Sequence, residues 1–197
     1  MIGSFLEGIE SLRLPCSWVL LIPGIAVLVF GRRRTPLVVA AFIAAAILVA
    51  WLRFAGWWFS TPQGGVQVVL GVAIVAGAGL AWRKDTGIYD AAVATIAGLA
   101  AAWTWIPCVG PELGEILNGS RTEPFQHIGG TVAFLLGQFL PFILIAAIGV
   151  VWPQLTRRLE HRGIVAVGAL LLMLVGVLFI TTLFDDLASE LARRSTF

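Results

Sequence analysis

The sequence contains two cysteines, and each of them directly follows a proline, as Pro15-Cys16 and Pro107-Cys108. Two thiols release two electrons when they form a disulfide, so such a pair can pass electrons on by thiol–disulfide exchange. Because proline favours the first position of a helix, each sulfur is expected near a helix N-terminus, where free N–H groups stabilise a thiolate. The pattern predicts a reactive thiol pair. Inert packing cysteines and a static structural disulfide are the alternatives.

A second proline follows each Pro-Cys step, so neither segment can be a regular helix throughout. The first segment continues to Pro23-Gly24, and the second reads Cys108-Val109-Gly110-Pro111. A proline inside a helix removes one hydrogen bond and clashes with the carbonyl one turn back. Lipid tolerates such a break only where protein or water satisfies the freed backbone groups. We therefore expect both breaks to face the interior of a helix bundle.

Few other polar side chains could take part in this chemistry. Glu112 and Glu115 follow Cys108 within two turns and are possible proton acceptors or, alternatively, residues of the membrane interface. His127 is a candidate proton shuttle or an interface histidine, and Gln138 could satisfy freed backbone groups. Neither metal-ligand spacing nor a phosphate-binding or nucleophile motif occurs. We expect no metal and no other cofactor.

The composition defines the surroundings of these residues. Of 197 residues, 59% are hydrophobic and 12% are charged, whereas soluble domains are about 45–50% apolar and about 25% charged. A soluble fold of this size could not hide so much apolar surface. The net charge of +2, carried by scattered basic residues, does not favour nucleic-acid binding. The chain is predicted to be a polytopic membrane protein in a lipid bilayer.

Six apolar stretches are long enough to cross a bilayer, which takes roughly 20 residues. Spans in lipid satisfy their own backbone hydrogen bonds as helices, and these runs lack the alternation of barrel strands. The predicted class is an all-α membrane protein with one transmembrane domain over residues 1–197. The six predicted spans are approximately 14–30, 36–59, 65–82, 91–119, 128–152 and 163–184.

Three spans on each side of a charged loop predict two inverted repeats, because an odd number of spans reverses the orientation of the second half. The first repeat covers 1–82, a cytoplasmic connector covers 83–90, and 91–197 form the second repeat and a polar tail. Helices 1 and 4, which carry the Pro-Cys breaks, occupy corresponding positions. Paired interruptions of this kind are typical of sites at a repeat interface.

The basic residues predict the orientation, because lysine and arginine collect in cytoplasmic loops. They cluster in the first, third and fifth connections, so both termini are expected outside the cytoplasm. Arg53, near the outer end of the second span, is interpreted as snorkelling at an aromatic belt. An amphipathic helix over 2–12 is expected at the outer interface, and a Glu190–Arg194 pair is expected in the tail. The clustered residues are Arg32, Arg33, Arg34, Arg83, Lys84, Arg157, Arg158 and Arg162.

At its cysteines the sequence resembles the CcdA family and the transmembrane domain of DsbD, thiol–disulfide electron carriers of bacterial membranes. The segment 107–114, Pro-Cys-Val-Gly-Pro-Glu-Leu-Gly, is similar to the fourth-span motif of the family. Gly137 and Pro141-Phe142 resemble its Gly-x-x-x-Pro-Phe element. The first span shares the Pro-Cys start and the Pro-Gly finish. It differs in having Val19 where the family usually has a proline, and one extra residue before Pro23.

This resemblance implies that Cys16 and Cys108 cycle between dithiol and disulfide. They would accept electrons from cytoplasmic thioredoxin and pass them to an extracytoplasmic thioredoxin-like protein, as in cytochrome c maturation. It also implies a multi-pass protein of a bacterial-type inner membrane, without haem or quinone. The alternatives are a small-solute or ion transporter of similar plan with incidental or structural cysteines, and an accessory membrane subunit. The absence of a convincing intramembrane charge pair counts against a transporter.

Overall fold

A computed structural model of the chain describes residues 2–14, 17–30, 35–54, 63–83, 87–104, 119, 127–151, 162–184, 186–187, 190 and 193. Of these residues, 96% are helical, and none of them lies in a strand. The predicted all-α class is therefore confirmed for this part of the chain.

Eight α-helices and one 3₁₀ turn, Ser11–Arg13, make up most of the described structure. The predicted spans 36–59, 65–82 and 91–119 each overlap one described helix, whereas the stretch 128–152 is divided between two. The helices are α1 Ile2–Glu10, α2 Trp18–Phe30, α3 Thr35–Phe54, α4 Gln63–Arg83, α5 Gly87–Thr104, α6 Ile128–Gln138, α7 Leu140–Val151 and α8 Arg162–Ile180.

Two of these helices are long and apolar enough by themselves to cross a membrane, over Pro36–Arg53 in α3 and Gly65–Trp82 in α4. The number rises to four if α1 with α2, and α6 with α7, are each counted as one bent span. The apolar stretches of α5 and α8, Ile88–Thr104 and Ala166–Ile180, are shorter. By length and composition, the described helices thus include two to four membrane spans.

The outer faces of the helices are strongly apolar. Val69 and Val72 of α4 are exposed, as are Leu170 and Leu174 of α8. Residues three and four positions apart lie on one side of a helix, so such side chains form apolar stripes. Contiguous exposed apolar surface of this kind needs a nonpolar medium to cover it, which agrees with a membrane environment.

The helices pack in a connected network. α3 lies against α5, α4 lies against α8, and α1 runs along α6. α5 also contacts α4, and α2 contacts α8, while α3 contacts α6 and α7. α2 packs directly on α5. The described parts of the predicted first and fourth spans are therefore neighbours.

Glycines allow the closest of these approaches. A Cβ atom on Gly71 of α4 would lie 2.7 Å from the carbonyl oxygen of Gly176 in α8, and one on Gly176 would lie 3.0 Å from that of Gly71. A Cβ on Gly98 of α5 would collide with the Phe42 carbonyl of α3. Small residues are the usual means of bringing helix backbones together in membranes.

The expected amphipathic helix near the start of the chain is present as α1, and its two faces differ in burial. Ser4 and Gly8 are buried, whereas Ile2 and Leu6 are exposed. The reason is the close contact with α6, because a Cβ on Gly8 would collide with the Phe134 carbonyl. The small residues Ser4 and Gly8 of α1 therefore face the bundle, and Ile2 and Leu6 are exposed.

In the tail, Glu190 forms an ion pair with Arg193 at 2.6 Å. The predicted partner, Arg194, lies outside the described residues. The Arg193 side chain is 75% exposed, so solvent screening leaves the pair a small contribution to stability.

Candidate functional site

Both Pro-Cys steps fall outside the part of the chain that the structure describes. Pro15 and Cys16 immediately precede the described Ser17, and Thr104 is the last described residue before the second step. Pro107, Cys108, Gly110, Pro111, Glu112 and Glu115 also lie outside the described residues. The site is therefore built from the residues that flank the two steps.

A chain of buried hydrogen bonds holds the start of α2. The Ser17 hydroxyl donates to the Ser11 carbonyl at 2.6 Å, and the Gln138 amide donates to the Ser17 hydroxyl oxygen at 2.9 Å. Ser11 in turn donates from its hydroxyl to the Gly8 carbonyl at 2.7 Å. This chain connects the segment between α1 and α2 to the end of α6. It fixes Ser17, the residue after Cys16, on two sides.

Gln138 is fully buried, and its side-chain oxygen, Oε1, has no hydrogen-bond partner among the described residues. An unsatisfied buried acceptor of this kind costs about 1–3 kcal/mol. Such groups are rare in folded proteins, and each one calls for an explanation. The sequence suggested that Gln138 satisfies freed backbone groups. Its amide instead donates to a side-chain hydroxyl.

The backbone bends between α6 and α7, whose axes differ by 61°. The interruption falls at Phe139, two residues before Pro141. Proline lacks an N–H group, so the carbonyl of Gly137, one turn earlier, loses its regular partner. The backbone N–H of Phe139 donates instead to the carbonyl oxygens of Gly137 and Leu135. The bend therefore keeps these backbone groups satisfied.

The predicted motif residues of the first and fifth spans meet in the structure. A Cβ on Gly24 would lie 2.8 Å from Cζ of Phe142, and a Cβ on Gly137 would collide with the Phe5 carbonyl. Pro23 is buried inside α2, which continues through it as a helix. These contacts bring Gly24, Phe142 and Gly137 together with the polar chain at Ser17.

Arg53 holds the end of α5. Its guanidinium donates to the carbonyl of Ala102 at 3.1 Å and to the carbonyl of Trp103. The last four carbonyls of a helix lack partners within it, and a positive charge is favourable there. Trp103 and Thr104 are both buried, so α5 ends inside the bundle. The interpretation of Arg53 as snorkelling did not anticipate this contact.

Ser17 and Gln67 are among the buried polar residues that were not singled out from the sequence. Ser17 is fully buried at the start of α2, and Gln67 is only 1% exposed within α4. Gln67 lies near the start of the predicted span 65–82, and an amide inside an apolar stretch is a recognisable signal in the sequence. Gln67 could have been identified in this way. Ser17 could not, because a single serine in a membrane helix is common.

The other predicted polar residue, His127, precedes α6, and its carbonyl accepts from the Thr131 N–H at 3.1 Å. Its ring lies against Gly119. Among the described residues, no three histidine, cysteine, aspartate or glutamate side chains come together as a possible metal site. What the described geometry does offer is two helix ends, each held by a polar side chain from another helix.

Comparisons with protein-family models, with curated proteins and with solved structures find no match to this chain. The functional argument accordingly rests on the residues of the chain.

Proposed function

We propose that this protein is a transmembrane thiol–disulfide electron carrier of the CcdA and DsbD kind. It passes reducing equivalents from cytoplasmic thioredoxin to an extracytoplasmic thioredoxin-like protein through Cys16 and Cys108. It lies in a bacterial-type inner membrane with both termini outside the cytoplasm. The observation that carries the proposal is that the two Pro-Cys steps adjoin α2 and α5, and these two helices pack on each other.

The proposed architecture is six spans in two inverted repeats. A separation of 92 positions relates Cys16 to Cys108, and the same separation relates Phe42 to Phe134. The Phe42 carbonyl lies against a glycine of α5, and the Phe134 carbonyl lies against a glycine of α1. Phenylalanines related by this separation thus each approach a glycine in a helix of the opposite half, which supports the repeat.

The helix contacts also support the repeat. Exchange of the two halves relates the predicted first, second and third spans to the fourth, fifth and sixth. When α1 and α2 are counted together as one bent first span, this exchange relates the α3–α5 pair to the α1–α6 pair and the α4–α5 pair to the α2–α8 pair. The α4–α8 pair is converted into itself. All of these pairs are in contact.

The proposed reaction is sequential thiol–disulfide exchange. A thiolate of reduced thioredoxin attacks one sulfur of the Cys16–Cys108 disulfide and forms a mixed disulfide, and the other cysteine leaves as a thiolate and takes up a proton. The second thiol of thioredoxin loses its proton and resolves the mixed disulfide, which releases oxidised thioredoxin. Two electrons and two protons have then moved to the pair. The reverse sequence reduces a disulfide of the outer partner.

The direction of transfer follows from the potentials. Thioredoxin has a potential near −270 mV, and more oxidising acceptors outside make outward transfer favourable. The carrier therefore needs a pair of intermediate potential and alternating access from the two sides. Movement of the two halves about their broken helices would supply that access.

Thiol trapping tests this function. In membranes treated with reductant and then with oxidant, Cys16 and Cys108 are expected to alternate between two alkylatable thiols and none. When the added oxidant removes two electrons and two protons from the two lone thiols, one of the variants Cys16→Ala and Cys108→Ala should form a mixed disulfide with a thioredoxin that lacks its resolving cysteine. Cysteines that never interconvert in the unmodified chain would disprove the proposal.

A small-solute transporter remains the second candidate, because the buried amides of Gln67 and Gln138 could serve a polar solute. The variant that lacks both cysteines separates the two functions. An electron carrier loses all transfer to an outer disulfide in that variant. A transporter keeps its uptake.

A further inference from the structure

The two regions next to the Pro-Cys steps share a feature. Gln138, in the predicted fifth span, holds Ser17 at the start of α2. Arg53, in the predicted second span, holds Ala102 and Trp103 at the end of α5. In each case a polar side chain from the second span of one half contacts the interrupted first span of the other half.

These contacts lie close to the cysteines along the chain. Cys16 is the direct neighbour of Ser17, and Cys108 follows Trp103 by five residues. Consecutive Cα atoms are about 3.8 Å apart. The hydrogen bond to Ser17 therefore acts one residue from Cys16 along the chain, and the bonds of Arg53 act five and six residues before Cys108.

On the basis of the proposed function, we propose that Gln138 and Arg53 are positioning residues of the Cys16–Cys108 pair. A disulfide forms only when the two Cα atoms are about 4.4–6.8 Å apart. Loosening either helix end lowers the fraction of conformations that meet this condition. The stability of the disulfide relative to the dithiol then falls.

The chemistry of Gln138 favours a positional role. Its amide group donates to Ser17, while its buried Oε1 has no partner among the described residues. A leucine of similar volume would avoid the cost of that oxygen. Stability alone therefore gives little reason for an amide at this position, whereas fixing Ser17 gives a direct one.

Arg53 donates hydrogen bonds to two acceptors, both of them backbone carbonyls at the end of α5. Hydrogen bonds from an ionised donor are stronger than neutral ones. By bridging the carbonyls of Ala102 and Trp103, one side chain restrains both the position and the direction of the last turn of α5. A methionine of similar length would fill the space without making either bond.

The test measures the redox equilibrium of the purified full chain with glutathione. Oxidation transfers two electrons and two protons from Cys16 and Cys108 to glutathione disulfide, which yields two glutathione thiols. Gln138→Leu and Arg53→Met are each expected to lower the equilibrium constant for disulfide formation about tenfold. That change makes the potential of the pair less negative by about 30 mV.

Two control variants separate positioning from general destabilisation. Gln67→Leu makes the same substitution at a buried glutamine in α4, and it should leave the potential unchanged even if the melting temperature changes. Arg53→Lys keeps the charge and should shift the potential less than Arg53→Met. Should Arg53→Met or Gln138→Leu fail to fold, Arg53→Lys and Gln138→Asn supply the measurement with smaller expected shifts.

The outcomes distinguish this inference from the function on which it depends. A wild-type chain that never equilibrates with glutathione would overturn the electron-carrier proposal itself. If the wild type equilibrates normally but the Gln138 and Arg53 variants keep its potential, the carrier function stands and the positioning role is wrong. A shift in Gln67→Leu as large as that in Gln138→Leu would likewise overturn the positioning role.

Discussion

The start of α2 and the end of α5 adjoin equivalent motifs in the sequence, but different chemistry holds them. At Ser17 a neutral amide donates to the Ser17 hydroxyl, which in turn donates to the Ser11 backbone carbonyl, and all three groups are buried. At Trp103 a single guanidinium reaches two backbone carbonyls. The difference follows from the backbone groups that lack a partner within the helix, which are N–H groups at the start of a helix and carbonyls at its end.

Whether a helix starts or ends at a given place determines which kind of side chain can hold it there. A helix that ends presents carbonyls, which accept hydrogen bonds and attract a positive charge. Arginine, with five donors in a planar fork, suits that end. At the start of α2 the link runs through a hydroxyl, which donates and accepts at once, so a neutral amide completes it. The helix that follows the first Pro-Cys step and the helix that precedes the second are thus held by different side chains.

The largest predicted effect tests whether the two halves pack equivalently. Gly8→Val and Gly98→Val would each push a side chain into a carbonyl, of Phe134 and Phe42 respectively. Because backbone cannot move aside as a side chain can, each change is expected to lower the free energy of unfolding by about 2–3 kcal/mol. Thermal unfolding in detergent measures both.

The control is Gly65→Val, where a Cβ would meet nothing within 4 Å. It should cost much less than either close-contact variant. Losses at Gly8 and Gly98 that differ by more than about 1 kcal/mol would argue against equivalent packing of the halves.

A smaller loss of stability is predicted when the side chains at the start of α2 and at the end of α5 are themselves changed. Ser17→Ala removes one bond to Ser11 and leaves the Gln138 amide without its acceptor, at a cost of about 1–2 kcal/mol. Thr104→Val should cost less than about 0.5 kcal/mol, because the Thr104 hydroxyl bonds only to carbonyls of its own helix. Denaturation of the two variants in the same detergent gives the comparison. Equal losses of stability in the two variants would contradict the difference between the two helix ends.

The smallest effect concerns the contact between the first and fifth spans. In Gly24→Ala the new Cβ would approach the Phe142 ring to 2.8 Å, and a ring can shift, so the cost is about 1 kcal/mol. Phe142→Leu removes the obstructing atoms. In a double-mutant cycle the two changes should therefore compensate by about 0.5–1 kcal/mol. Strict additivity would show that the two residues are not coupled.

Much of the helical architecture could be predicted because apolar runs end at charged or proline-rich segments. The predicted stretch 65–82 corresponds closely to α4, Gln63–Arg83. The stretch 128–152 was predicted as a single span, and the structure divides it at Phe139, two residues before Pro141. Proline acts on the carbonyl one turn earlier, so the interruption precedes the residue that causes it.

The contacts that hold the candidate site could not be predicted. The Gln138–Ser17 bond joins residues 121 positions apart, and no local pattern indicates such a pair. Arg53 bonds to backbone carbonyls, which every residue possesses, so its partners leave no trace in the sequence. The outward direction of Ile2 and Leu6 depends on the approach of α1 to α6. That approach is a property of the packed bundle.

The buried Trp103 gives the protein an internal optical probe. Its backbone carbonyl accepts from Arg53, and its side chain is buried at the end of α5. Trp18 and Trp82, by contrast, are half-exposed on the outer surface, where quenchers dissolved in the lipid can reach them. The fluorescence difference between the wild type and a Trp103→Phe variant would therefore isolate one indole. It would report in real time how the end of α5 responds as the thiols change their oxidation state.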